Sequence, residues 1–196
     1  LPLCGYNIIY KNCRNVKLYM KNQLRQKSKI IRKNLNCESA SKKILEKILN
    51  WEEFKSAQNI MIYHPINNEI NLLPLCTSCK KIFHLPKISN DEIVPVFFDE
   101  NTPLVCGKYN IQEPAAKCGD SALNLDLVFI PAVCADKSGY RIGYGKGYYD
   151  RFLGKLQENT KTAIVIYEEL LCEEIPAENF DKKADFVITP EKIIKC

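Results

Sequence analysis

"LDLVFIPAVCADKSGYRIGYGKGYYDRFLGKL", Leu125 to Leu156, carries the pattern that decides the fold of this chain. From Leu125 to Val133 the run is almost unbroken in its apolar character. A strand with one wet face alternates apolar and polar side chains, so a continuous run reads as a strand covered on both faces, as in a parallel sheet. Three glycines follow at alternate positions, Gly143, Gly145 and Gly147. Beyond them Tyr149, Phe152, Leu153 and Leu156 recur on one helical stripe. The order is strand, glycine loop, helix start. Such a loop offers backbone N–H groups to an anion, and Arg141 and Lys146 add positive charge, so a phosphate fits there.

Upstream, "VKLYMKNQLRQKSKIIRKNLN" predicts a basic helix with Leu18, Leu24, Ile31 and Leu35 among its apolar positions, and "ESASKKILEKILNWEEF" predicts a second helix. The period then changes. "NIMIYHP", "KIFHLPK", "IVPVFF", "LDLVFIPAV", "TAIVIYE" and "DFVIT" are short, rich in Ile, Val, Phe and Tyr, and bounded by turn residues, as strands are. The interleaving predicts an α/β fold: a single-domain, layered open sheet, mostly parallel, with helices on both faces. With 196 residues, 46% of them hydrophobic, the chain can bury one substantial core.

The net charge of +5 suits an anionic small molecule and a nucleic acid equally well, so charge alone selects neither. It is unevenly spread. Residues 1 to 37 hold nine Lys or Arg and no Asp or Glu, the composition of an organelle transit segment and also of a helix that carries anion ligands. Residues 1–17 are expected to form an N-terminal extension, for targeting or disordered, ahead of a domain spanning 18–196. Ten cysteines are too sparse here for a disulfide scaffold and are expected as reduced, mostly buried thiols. No apolar run approaches the roughly 20 residues that span a bilayer. A cytoplasmic protein is expected, with a mitochondrion or plastid as the alternative if the basic segment is a targeting remnant.

Two familiar phosphate motifs fail on inspection. A P-loop needs Ser or Thr after its lysine, where Gly147 follows Lys146; the dinucleotide fingerprint needs its third glycine at Tyr148. Asp150 points elsewhere. A carboxylate beside a phosphate is repelled unless a cation lies between, so Asp150 suggests magnesium. Separately, Cys76, Cys79 and His84 have the opening spacing of a zinc knuckle, but the fourth ligand falls at Ser89 and the set is incomplete.

"FIPAVCADKSGYRIGYGKGYYDRFL" resembles the signature of the 5-formyltetrahydrofolate cyclo-ligase family, also called 5,10-methenyltetrahydrofolate synthetase. The likeness runs from about Leu18 to Thr189: "KNQLR" is similar to the family's Lys-x-x-x-Arg, "IYHPINNEIN" to its strand-turn-glutamate segment, "YNIQEP" to its aromatic loop and "EEIPAENFDKKADFVIT" to its C-terminal strand region. The resemblance implies an enzyme that uses ATP and Mg²⁺ to phosphorylate the formyl oxygen of 5-formyltetrahydrofolate and close the ring to 5,10-methenyltetrahydrofolate. Small-molecule substrates are then the partners, with no membrane or nucleic acid, and a monomer is expected.

The same resemblance assigns residues. Lys21 contacts ATP and Arg25 lies between nucleotide and folate; Arg141, Ile142, Gly143, Tyr144, Gly145, Lys146, Gly147, Tyr148 and Tyr149 form the nucleotide loop. Arg25, Arg141 and Lys146 are the catalytic cations. Asp150 and Asp181 match magnesium ligands, and His64, Glu69, Tyr109 and Tyr148 match folate contacts, Glu69 accepting hydrogen bonds from the donor-rich pterin edge. Read without the family, the bases are a solvated helix face, Glu69 a turn residue and the tyrosines core packing. Two other functional readings stand beside catalysis: an RNA-binding module using the basic helix and Tyr140, Tyr144, Tyr148 and Tyr149, and a nucleotide-dependent ligase or kinase for another substrate. The chain departs from the family pattern at Asn110, Leu170 and Phe180.

Overall fold

The computed structural model describes residues 14–116 and 124–196, so Cys4, Cys13, Cys118 and most of the expected extension lie outside the described residues. The basic segment forms helix α1 (Arg14–Lys33), which takes in residues 14–17. Helix α2 (Cys37–Asn50) begins where the Asn36 side chain accepts from Ser39 N at 3.0 Å, satisfying a free helix-end donor. It does not run on through "WEEF". Trp51 adopts an extended backbone, its ring meets Phe186 edge-on at 4.8 Å, and a separate short helix α3 (Glu52–Ser56) follows. An aromatic anchor has overridden helical propensity there.

The remaining elements are strands β1 (Asn59–Met61), β2 (Ile82–Ser89), β3 (Glu92–Phe98), β4 (Leu104–Cys106), β5 (Gln112–Pro114) and β6 (Leu127–Pro131), with the single turn α4 (Leu75–Ser78) between β1 and β2. After them come β7 (Cys134–Asp136), β8 (Arg141–Ile142), helix α5 (Tyr148–Leu153), and strands β9 (Lys161–Val165), β10 (Leu171–Cys172), β11 (Phe186–Ile188) and β12 (Ile193–Lys195). All six segments read as strands contribute to one seven-stranded sheet of order β12-β11-β9-β6-β1-β2-β3. The inner pairings are parallel, and only the edge strands β12 and β3 pair antiparallel. The fold is the α/β arrangement read from the sequence. Leu127 to Ile130 in β6 are all buried, as a strand covered on both faces requires. Pro95 is tolerated because β3 is an edge.

Two small hairpins escape the sequence reading. β4 pairs with β5, and β7 pairs antiparallel with β8 across Lys137–Tyr140, so Arg141 and Ile142 are strand rather than loop. Asp136 explains the second hairpin: its Oδ1 accepts from Ser138 N at 2.9 Å and Tyr140 N at 3.1 Å, while Gly139 takes a φ of +88°. This hairpin aims the glycine loop back over the sheet.

The largest departure concerns α1. Its buried stripe is polar: Lys21, Ser28 and Arg32 are 8%, 4% and 3% exposed, whereas Leu18 is 52% exposed. Leu24, Ile31 and Leu35 pack at the core's edge as expected. The seven described cysteines are free thiols, but only Cys134 is fully buried and Cys106 and Cys196 are exposed, which corrects the expectation of mostly buried thiols. No described helix is long and apolar enough to cross a membrane.

Candidate active site

Every site residue assigned from the sequence lines one cleft of about 540 Å³. Its floor is the end of β6 and the segment after β1; its walls are the inner face of α1, the glycine loop, the turn before β5 and the segment before β11.

The glycine loop is built around two left-handed positions, Gly145 (φ +92°) and Gly147 (φ +67°), where a side chain is strained. Gly143 has ordinary backbone, but a Cβ there meets nothing within 4 Å, so the loop faces open space at that point. Helix α5 is only six residues long, and its dipole adds little. The positive charge comes from side chains instead. Arg25 Nε donates to Gly143 O at 2.9 Å, which pins α1 to the loop, and Lys146 Nζ lies 5.8 Å from the Tyr109 ring centre.

Acids and bases meet in pairs. Arg141 Nη2 donates to Asp150 Oδ1 at 2.9 Å, and Arg141 Nη1 to Lys182 O at 2.9 Å. Lys21 Nζ lies 2.6 Å from Asp181 Oδ2 and 2.9 Å from Glu178 Oε2. Burial works against the Lys21 ammonium, but hydrogen bonds and charge from Asp181 and Glu178 outweigh it and raise its pKa. Glu178 and Phe180 also line the cleft, and the sequence reading gave neither a role; Phe180 lies under Lys21 at 5.6 Å, where it continues a cation–π contact.

Glu69, which also lines the cleft, is 5% exposed. Its Oε2 accepts from Ile66 N at 3.0 Å and its Oε1 from Tyr144 Oη at 3.1 Å. Burial lifts its pKa to about 7 against the lowering effects of Ile66 N, Arg32 and Tyr144. Burial and then the Glu69 charge push Tyr144 up to about 12, so its hydroxyl stays a donor. Two polar atoms of cleft residues, His64 Nδ1 and Tyr149 Oη, are buried with no hydrogen-bond partner among the described residues. Buried polar atoms are rarely left unmatched, and these two mark where a polar ligand would complete the network. Tyr109 and Tyr148 meet across the mouth with hydroxyls 3.3 Å apart and rings at 64°.

The departures sort themselves by geometry. Asn110 sits at φ +59°, beside Tyr109 at +63°, and asparagine is the side chain that best tolerates that region. Replacing Asn110 by valine is expected to lower stability by ~1–3 kcal/mol in urea unfolding, and by glycine to leave it nearly unchanged. Leu170 is 1% exposed in the core and does not line the cleft. The zinc spacing does not assemble: His84 lies buried inside β2, paired with Met61 on one side and Phe97 on the other, and no cluster of three metal-binding side chains occurs among the described residues. The four tyrosines do not share one face: Tyr140 and Tyr149 pack against the core, Tyr148 meets Tyr109 at the cleft mouth and Tyr144 turns to Glu69.

Over residues 14–190 the chain matches the 5-formyltetrahydrofolate cyclo-ligase family. It belongs to that family. The solution structure of 5,10-methenyltetrahydrofolate synthetase from Aquifex aeolicus superposes with a TM-score of 0.78 at 30% identity, covering 90% of this chain and 92% of that one. The 5,10-methenyltetrahydrofolate synthetase of Mycoplasma pneumoniae gives 0.66 at 25% identity, covering 86% and 97%. The 5-formyltetrahydrofolate cyclo-ligase of Haemophilus influenzae is 29% identical over 171 residues, 81% of this chain and 91% of its own. As a cyclo-ligase family member the chain is an enzyme of the ligase class, and its fold is the synthetase fold.

Proposed function

We propose that this chain cyclises 5-formyltetrahydrofolate to 5,10-methenyltetrahydrofolate at the expense of ATP, releasing ADP and phosphate. The observation that carries the reading is one cleft in which a basic glycine loop and the buried carboxylate of Glu69 meet, joined through Tyr144. In this reaction the γ-phosphoryl group passes to the formyl oxygen, the neighbouring folate nitrogen attacks the formyl carbon, and the C–O bond breaks as phosphate leaves. Phosphoryl transfer depends on positioning and charge neutralisation, which the four bases Lys21, Arg25, Arg141 and Lys146 supply. Open backbone at Gly143 gives the phosphates room. Glu69 accepts from the pterin edge, His64 and Tyr149 offer it unmatched polar atoms, and Tyr109 and Tyr148 flank its ring.

The donor set also fits magnesium, which needs one or two carboxylates alongside phosphate oxygens. Asp150 and Asp181 would hold it, and it supplies charge neutralisation at the phosphates. Both carboxylates are paired with bases that the phosphates also attract, so nucleotide and cation are expected to exchange these pairs together. Titration calorimetry should therefore find ATP binding at least about tenfold weaker without Mg²⁺, and equal affinity in both conditions would contradict the exchange.

The direct test is growth of the methenyl-folate ultraviolet band on mixing protein, 5-formyltetrahydrofolate and MgATP. No ATP-dependent growth overturns the reading. Lys146→Ala should weaken ATP more than folate; equal weakening would mean the loop serves another ligand.

A further inference from the structure

Arg32 is the most buried cation of α1, at 3% exposure, and does not line the cleft. Taking a guanidinium out of water costs several kcal/mol unless hydrogen bonds replace its hydration. Here hydrogen bonds come from two segments and an ion pair from a third, while Nε is buried without a partner among the described residues. Nη2 donates to the carbonyls of Ala132 and, at 3.1 Å, Val133, which follow β6. Nη1 lies 3.3 Å from Tyr144 Oη in the glycine loop and 3.6 Å from Glu69 Oε1. The Asn68 side chain closes the circuit by donating to the carbonyls of Arg32 (2.7 Å) and Leu35 (3.0 Å).

We infer that Arg32 is a positioning residue: its fork favours the ionised, accepting form of the Glu69 carboxylate that faces the cleft and ties it, through Tyr144, to the glycine loop. The inference rests on the reading of Glu69 as a folate-facing group. The titratable groups around Glu69 include Arg32 from α1, Tyr63 from the segment after β1, Tyr144 from the loop and Tyr149 from α5, and Cys37 Sγ from α2 donates to the Glu69 carbonyl at 3.0 Å. The three tyrosines are held protonated by burial, so Arg32 is the member of this set that carries charge against the carboxylate. With Arg32 removed, a carboxyl in so buried a place takes a proton and becomes partly a donor. A pterin edge rich in donors then meets the wrong partner. A purely packing role makes a different demand, because an apolar side chain of similar volume would fill it as well or better.

The test compares Arg32→Met, Arg32→Gln, Arg32→Lys, Glu69→Gln and the double variant Arg32→Met with Glu69→Gln. Carboxyl ¹³C titration of the ligand-free proteins follows Glu69, assigned by the signal that Glu69→Gln removes. The Glu69 midpoint is expected to rise by roughly one pH unit or more in Arg32→Met and in Arg32→Gln, and to return toward the wild-type value in Arg32→Lys. The acid limb of kcat/KM for 5-formyltetrahydrofolate should move by the same amount and vanish in Glu69→Gln. Adding Arg32→Met to Glu69→Gln should cost little more, since both act through one group. An unmoved midpoint in whichever neutral variant folds, or losses that simply multiply in the double variant, overturns the inference. A moved midpoint without any wild-type turnover instead overturns the reaction and leaves the coupling of Arg32 to Glu69 intact.

Discussion

Arg141→Ala is expected to lower kcat with MgATP and 5-formyltetrahydrofolate by about 100- to 1,000-fold, the loss usual when one donor to developing charge is removed. The side chain is almost wholly buried, held between Asp150 Oδ1 and Lys182 O. Truncation removes a cation from the phosphate end, so the favourable field at the phosphoryl group weakens. ATP should still bind, more weakly, through Lys21, Arg25 and Lys146. Single-turnover kinetics separate the effects: a lower rate at saturating nucleotide is expected, and full recovery at high ATP would reduce Arg141 to a binding role. A thermal melt accompanies the assay, because breaking a part-buried pair also costs stability.

Glu69→Gln is expected to cut kcat/KM for the folate by about 10- to 100-fold while leaving ATP affinity nearly unchanged, the range for losing hydrogen bonds to a charged acceptor. A wild-type-like value would remove the assigned pterin contact and favour a different substrate. The same variant carries a pH signature in stability. A carboxyl raised from 4.5 to about 7 burdens the folded state only when ionised. That penalty is absent below pH 4.5, develops as pH rises to about 7 and then stays constant, reaching roughly 3 kcal/mol. Glutamine never ionises, so urea unfolding should show the variant gaining stability relative to wild type between pH 5 and pH 8. Parallel profiles would mean Glu69 titrates normally.

The main sheet was legible because its evidence is local: apolar runs such as Leu125 to Val133 announce a doubly covered strand. The candidate site residues were drawn from a motif rather than from chemistry, since Lys21 and Glu69 look unremarkable in sequence and acquire partners only from distant segments, which the fold brings to one cleft. Arg32 shows the limit. Nothing near it in the chain distinguishes it from Lys29 or Lys33, because its partners at Glu69, Ala132, Val133 and Tyr144 are brought to it by folding. The β7–β8 hairpin was missed because Asp136, which folds the turn, sits among residues read as the approach to the loop. The break at Trp51 depends on Phe186, far along the chain.

The inward-facing bases of α1 also set an order of events during synthesis. Lys17 and Lys21 are made early, yet their partners Ala177 and Asp181 lie 160 residues further along the chain. Arg25 waits for Gly143, 118 residues later. On a growing chain the outer end of the helix, with Lys17 and Lys21, is therefore expected to stay undocked until residues 177–181 have left the ribosome. Closing so long a loop is slow compared with local helix formation, so seating of α1 should be the final step of folding. Catalytic competence would then appear only with the finished polypeptide, and a nascent chain stopped short of Asp181 would leave the first helix as its most protease-sensitive segment.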